Sequence, residues 1–117
     1  MNYAWEPAPI DRSWIRAGEP QAMIYPIAND GCVSTGYWQC TQGEFLWHYA
    51  VDETIVFLSG CAMIDGHIFT AGSTRQFACG SRAHWVVLEP VTKMYVIKKP
   101  KSALRRVLGR LKRVIVG

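Results

Sequence analysis

Glu53 is the side chain in this 117-residue chain best placed to do chemistry. It follows the stretch Phe45 to Tyr49, in which Phe45, Trp47 and Tyr49 alternate with Leu46 and His48. At strand spacing the three rings share one face. The acidic pair Asp52 and Glu53 comes at once after them. A carboxylate beside a row of rings is costly to bury unless something pairs with it. Lys93, in strand phase with Tyr95, is the candidate partner. A Lys93–Glu53 pair walled by Trp38, Trp47, Tyr49 and Trp85 would offer both signs of charge to a small polar ligand, the usual form of a small-molecule pocket. Desolvated, Glu53 would have a raised pKa and serve as general acid or base, which makes it the catalytic candidate. The plainer alternative is a core filled by these rings, with Glu53 bonded to backbone amides or to Lys93.

Other reactive side chains offer less. Cys32, Cys40, Cys61 and Cys79 contain no C-x-x-C pair, which argues against zinc-ribbon and redox roles. They read as reduced and mostly buried small apolar residues. Cys40 and Cys79 have no base nearby in sequence to activate them. Arg82 follows a glycine turn and is placed either to bind a carboxylate or to lie in solvent. His67, beside Asp65-Gly66, reads as surface.

The elements that must position Glu53 are short strands. Asn29, Asp30 and Gly31 give the first strong turn signal. Strands are then expected over 35–40, 44–49, 54–59, 60–64, 67–70, 75–78, 83–89 and 93–98. Asp65-Gly66 is a preferred two-residue hairpin turn. No helix-length pattern separates these strands, so an antiparallel sandwich or barrel is expected over a parallel sheet. Residues 1–30 hold Pro7, Pro9, Pro20 and Pro26 and read as an irregular arm. Trp5 and Trp14 would anchor it on the body or on a second subunit.

Two spacings match cupin motifs. Glu53 followed by Gly60 fits the second half of the first motif, and Gly72 with Gly80 fits the second. More specifically, Trp38, Cys40, Thr41, Gly43, Phe45, Trp47, His48, Tyr49, Asp52 and Glu53, with Phe77, Gly80, Arg82, Ala83, Trp85, Lys93 and Tyr95, resemble the small cupins grouped with the ureidoglycine aminohydrolase cupin domain. The resemblance covers residues 34–98. It implies an all-β fold, a double-stranded β-helix or jelly-roll barrel, and a homodimer. In a metal-binding cupin it also implies two histidines, a glutamate and a third histidine. Those positions here are Trp47, Tyr49, Glu53 and Ala83, a poor set for a divalent ion. A one-residue shift would enlist His48 and His84 with Glu53, but alternation turns both histidines away from the face carrying Trp47 and Trp85. No metal or other cofactor is therefore expected.

The net charge of +4 is unevenly spread. Of the 13 Lys and Arg, eight fall from Lys98 onward with no acid among them; the rest of the chain sets five against nine Asp and Glu, a net −4. After Pro100, Leu104, Val107, Leu108, Leu111 and Ile115 lie on one helical face, with Ser102 as N-cap and basic residues opposite. This tail is expected to dock on the barrel or a second subunit. The alternatives are an anionic membrane surface and nonspecific contact with nucleic-acid phosphates. No specific nucleic-acid binding is expected. With half its residues apolar, the chain reads as one folded domain, divided into an arm (1–30), a barrel (31–99) and a helical tail (100–117). Neither a secretory pattern nor a membrane-length apolar run is seen, so a cytoplasmic protein is expected. The function expected is metal-free binding of a small polar metabolite. The competing readings are a metal-dependent hydrolase of ureido compounds and a structural or membrane-surface protein acting through its tail.

Overall fold

The computed structural model describes residues 4–98. They form nine strands: β1 Glu6–Pro7, β2 Ile15–Ala17, β3 Ala22–Asn29, β4 Val33–Cys40, β5 Gly43–His48, β6 Asp52–Ile64, β7 His67–Phe69, β8 Thr74–Phe77 and β9 Arg82–Lys98. One turn of 3-10 helix, Arg12–Trp14, precedes β2. Every pairing is antiparallel. The architecture is the expected all-β jelly-roll barrel. The basic segment 100–117, expected to be helical, lies outside the described residues.

Two long strands carry the barrel. β9 pairs with β6 along one edge, from Asp52↔Lys98 to Ile64↔Trp85. Its other edge is shared: Val91 to Lys98 pair with β4, and Arg82 to Val87 pair with β5. β6 in turn holds β8 beside Glu53 to Val56 and β7 beside Ala62 to Ile64. The period of two then decides what faces inward. Phe45, Ile55, Phe57, Trp85, Val91 and Tyr95 point into the core, and Thr54, Leu58 and Leu88 point out. The Asp65-Gly66 turn has positive φ at both residues, as a tight hairpin requires.

Separate strands are expected at 54–59 and 60–64, and at 83–89 and 93–98, with Gly60 and Pro90 falling where they divide. Instead each lies inside one continuous strand, and the two lie against each other. The β6–β9 register shifts between Phe57 and Ala62, where Ser59 faces Thr92 and Cys61 faces Glu89. A proline is tolerated at such an irregularity because no ladder hydrogen bond is lost there. The bulge also changes phase on β6: the buried residues are Glu53, Ile55 and Phe57 before it, and Ala62 and Ile64 after it. Gly60 has φ +85°, and a Cβ there would run into the Pro90 carbonyl.

The arm is more regular than the sequence suggests. Residues 22–29 are strand β3, paired with β4 from Ala22↔Cys40 to Asn29↔Ser34, and residues 15–17 are strand β2 on the edge of β5. Pro26 obscured this strand. It sits where β3 has no partner on its outer side, since the short β1 reaches only Met23 and Ile24. An edge position tolerates a missing N–H. Trp14 anchors this segment as expected, with its ring centroid 5.1 Å from that of Trp47.

Gly60→Ala should therefore destabilise the protein by about 3 kcal/mol or more, from left-handed backbone strain and the collision with Pro90 together. Urea unfolding monitored by tryptophan fluorescence measures it. A midpoint unchanged from the parent would show that the crossing of β6 and β9 is looser than described.

Candidate functional site

The charged pair is built by the β6–β9 ladder. Glu53 is the second residue of β6, opposite Ile97, and Lys93 on β9 is opposite Phe57. Both side chains face the barrel interior, about 13 Å apart at their backbones by strand rise, and they reach toward each other along the floor. Lys93 Nζ donates to Glu53 Oε2 at 2.9 Å. Glu53 is 7% exposed and Lys93 5%. The ammonium also lies 4.5 Å from the ring centre of Trp38 and 5.0 Å from that of Trp85. A desolvated cation over an indole gains about 2 kcal/mol. Two rings, one carboxylate and the barrel wall thus hold Lys93 in place.

Above this pair is a cavity of about 270 Å³, lined by Ala8, Pro9, Ile24, Trp38, Trp47, Glu53, Lys93, Tyr95 and Ile97. Apart from the pair, the Tyr95 hydroxyl and the indole N–H groups of Trp38 and Trp47, its lining side chains are apolar. Among the described residues Glu53 Oε1 takes no hydrogen bond, and it is not fully buried. The second carboxylate oxygen, with the ammonium beside it, thus lines the space that a ligand would enter. Tyr95 lies low in the cavity because Gly36 has no side chain: a Cβ there would come within 2.5 Å of Tyr95 Oη. Burial, and then the charge of Glu53, hold the Tyr95 phenol above its ordinary pKa.

Of the residues expected around Glu53, Trp38, Trp47 and Lys93 line the cavity. Tyr49 and Trp85 do not. Trp85 is 1% exposed; its ring stacks on Phe45 at 5.9 Å and 17°, and its Nε1–H donates to Tyr49 Oη at 3.1 Å. Tyr49 stacks on Phe77 at 4.3 Å. These two rings belong to the barrel core, with Trp85 beside the ammonium. Burial, reinforced by the Glu53 charge, raises the Tyr49 phenol far above its usual range, so it stays protonated.

Ala8, Pro9, Ile24, Tyr95 and Ile97 were missed as site residues. Tyr95 and Ile97 share the phase of Lys93, and Ile24 alternates with Ala22, so strand period pointed to them. Nothing in sequence pointed to Ala8 and Pro9.

The histidines lie elsewhere. His48 is exposed and stacks on Trp14, ring centres 5.2 Å apart. His84 Nε2 is 2.7 Å from Glu44 Oε2 at the surface, and its backbone N–H donates to Asp65 Oδ1. His67 is exposed, as expected. The arrangement of His48, Glu53 and His84 is not assembled, and no group of three metal-ligating side chains occurs among the described residues. At the positions that the cupin resemblance assigns to metal, Trp47, Tyr49 and Ala83 leave Glu53 as the lone hard donor, and Lys93 already occupies it. The residues do not fit a divalent ion.

The cysteines correct an expectation. Only Cys40 is fully buried; Cys61 is half-buried, and Cys32 and Cys79 are exposed because they fall in the turns after β3 and β8. Burial pushes the Cys40 thiol up to about 12, against a smaller opposing pull from Lys93. Arg82, considered for carboxylate binding, is exposed at the start of β9.

A jelly-roll barrel with a charged pair on the wall of an inner, ligand-sized cavity has the architecture of the cupins. The family model of the EutQ-like cupin domain matches residues 27–95, and the chain belongs to that family. Among solved structures, the chain is similar to the protein described as ethanolamine utilization protein Q of Salmonella typhimurium LT2, with 19% identity, 84% of this chain and 96% of that one covered, and a TM-score of 0.61. It is also similar to EutQ of Clostridium difficile, with 17% identity, 69% and 64% covered, and a TM-score of 0.59. A Pseudomonas syringae pv. tomato protein of unknown function aligns with 21% identity, 81% and 44% covered, and a TM-score of 0.69. This chain thus spans less than two thirds of the Clostridium and Pseudomonas proteins. At these identities the likeness shows the fold. None of the curated proteins compared with the sequence matches it. No helix among the described residues is long and apolar enough to cross a membrane.

Two outcomes follow from the buried groups. Lys93→Met leaves Glu53 buried without its partner and should cost about 3–5 kcal/mol. The double variant Glu53→Leu/Lys93→Met should recover most of that loss. A double-mutant cycle by urea denaturation measures the coupling, and additive losses would show that the pair does not act as a unit. The second outcome concerns alkaline pH. Cys40 and Tyr49 keep their protons in the folded state at pH values where the unfolded chain releases them. Stability from these groups is thus fully present below about pH 9 and lost as pH rises through 9 toward 12. Urea midpoints measured from pH 7 to 11 should fall above 9, and Cys40→Ala and Tyr49→Phe should each flatten part of the fall. A flat profile in the parent would contradict the burial described for both groups.

Proposed function

We propose that this cupin binds a small polar metabolite in the cavity above Glu53 and Lys93, without a metal. The observation that carries the reading is the buried ion pair itself. It sits on a largely apolar wall, with Glu53 Oε1 and the Lys93 ammonium lining space that a ligand can fill. A pair kept only for stability gains little over apolar residues of the same volume. Convergent polar groups in an otherwise apolar cavity are what ligand recognition requires. In this reading Lys93 and Glu53 orient the ligand, Trp38 and Trp47 cover its apolar part, and Tyr95 supplies a hydroxyl. Should a reaction occur, Glu53 is the group placed to move a proton. The Salmonella neighbour, an ethanolamine utilization protein, is compatible with a small polar ligand here. It does not by itself carry one to this chain.

The aminohydrolase chemistry implied by the ureidoglycine aminohydrolase resemblance rests on a metal. Trp47, Tyr49 and Ala83 at the ligand positions give that metal no set of donors, so the resemblance supports the barrel and the location of the site better than the reaction.

A thermal-shift screen of small polar metabolites against the full chain tests the proposal. A ligand is expected that raises the melting temperature and changes the fluorescence of Trp38 and Trp47. Glu53→Gln should weaken it by about tenfold, the loss of one charged hydrogen bond, while the fold is retained. A ligand whose affinity is the same in Glu53→Gln would remove Glu53 from the site.

A further inference from the structure

The electrical balance of the cavity narrows the kind of molecule it can hold. Resting on the binding reading above, we propose that the site selects an uncharged ligand carrying a primary carboxamide, and discriminates against carboxylates, amines and zwitterions of the same shape. The ionised side chains on the wall are Glu53 and Lys93, which cancel at 2.9 Å. The remaining wall is aliphatic or aromatic, its polar side-chain groups being the Tyr95 hydroxyl and the uncharged indole N–H groups of Trp38 and Trp47.

A charged ligand would bring an uncompensated charge into this apolar space. An anion would gain from Lys93 but face Glu53 at nearly the same distance, and a cation would meet the reverse. Neither recovers its desolvation cost, since one member of the pair opposes it. A zwitterion would have to desolvate two charges and break into a pair already closed by its hydrogen bond and by two indole faces.

A carboxamide matches what is exposed. Its carbonyl oxygen accepts from Lys93 Nζ, and its N–H donates to Glu53 Oε1, the oxygen with no donor among the described residues. Both are hydrogen bonds to ionised groups, stronger than neutral ones, and the site stays neutral. A carboxylic acid has the same outline but ionises near pH 4 and so arrives as an anion. An alcohol supplies donor and acceptor from a single atom and does not span both members of the pair. The body attached to the amide would lie against Trp38 and Trp47, whose rings meet edge to face with centres 6.0 Å apart.

The test uses four probes built on one phenyl ring: benzamide, its isostere benzoate, benzylamine and phenylglycine. Each is titrated at neutral pH into the full chain labelled with nitrogen-15, and the indole N–H resonances of Trp38 and Trp47 are followed. Benzamide is expected to move both resonances and to bind at least about tenfold more tightly than the others. Glu53→Gln leaves Lys93 unbalanced and should reverse the order in favour of benzoate. Lys93→Gln should reverse it in favour of benzylamine, so either variant suffices if the other fails to fold. A merely structural pair would not change probe preference with the sign of the residual charge. Benzoate, benzylamine or phenylglycine binding the parent as tightly as benzamide would overturn the carboxamide assignment and leave the cavity a binding site. No binding by any probe, while the metabolite screen yields a ligand that moves the same resonances, would also overturn the assignment alone. No response in either experiment would overturn both the assignment and the binding reading.

Discussion

The buried pair of Lys93 and Glu53 is the constraint around which the barrel is arranged. Two charges at 5% and 7% exposure are tolerable only while they remain within hydrogen-bond distance and while the ammonium keeps its aromatic faces. That condition fixes a good deal at once. β6 and β9 must keep their register from Glu53↔Ile97 to Phe57↔Lys93, or the side chains separate. Trp38 must come from β4 and Trp85 from within β9, which ties three strands to one atom. Tyr49 and Phe77 stack on each other in the same core.

The same arrangement explains why a fold widely associated with metal carries a different site here. The barrel supplies inward positions at a period of two, and its chemistry depends on what occupies them. An indole at 47, a phenol at 49 and a methyl group at 83 stand, as packing surface, where the resemblance expects imidazole donors. The carboxylate at 53, left without a metal, is neutralised by Lys93. The result is a largely apolar cavity with a closed ion pair on its wall.

Much of this was legible along the chain. Alternation placed Phe45, Trp47, Tyr49, Trp85, Lys93 and Tyr95 on inner faces and turned His48 and His84 outward, because the direction of a strand side chain depends only on its own backbone. The same alternation made Lys93 a candidate partner for Glu53. Asp65-Gly66 marked its hairpin because few residue pairs accept two positive φ angles. The sequence misled where local signals compete with pairing. Pro26 looked like a break but sits on the unpaired side of β3, and Gly60 and Pro90 looked like strand ends but share one bulge.

What the sequence alone determined, then, is facing: which residues point into the barrel, and hence its all-β character and the identity of its polar residues. Tertiary structure decided depth and closure. Tyr49 and Trp47 face the same way two residues apart, yet one is in the core and the other on the cavity wall. Position along the barrel axis follows from curl and from the register of strands distant in sequence, which no local period encodes. Ala8 and Pro9 complete the wall for the same reason. They carry no chemical signal of their own, and only the pairing of β1 with β3 brings them there.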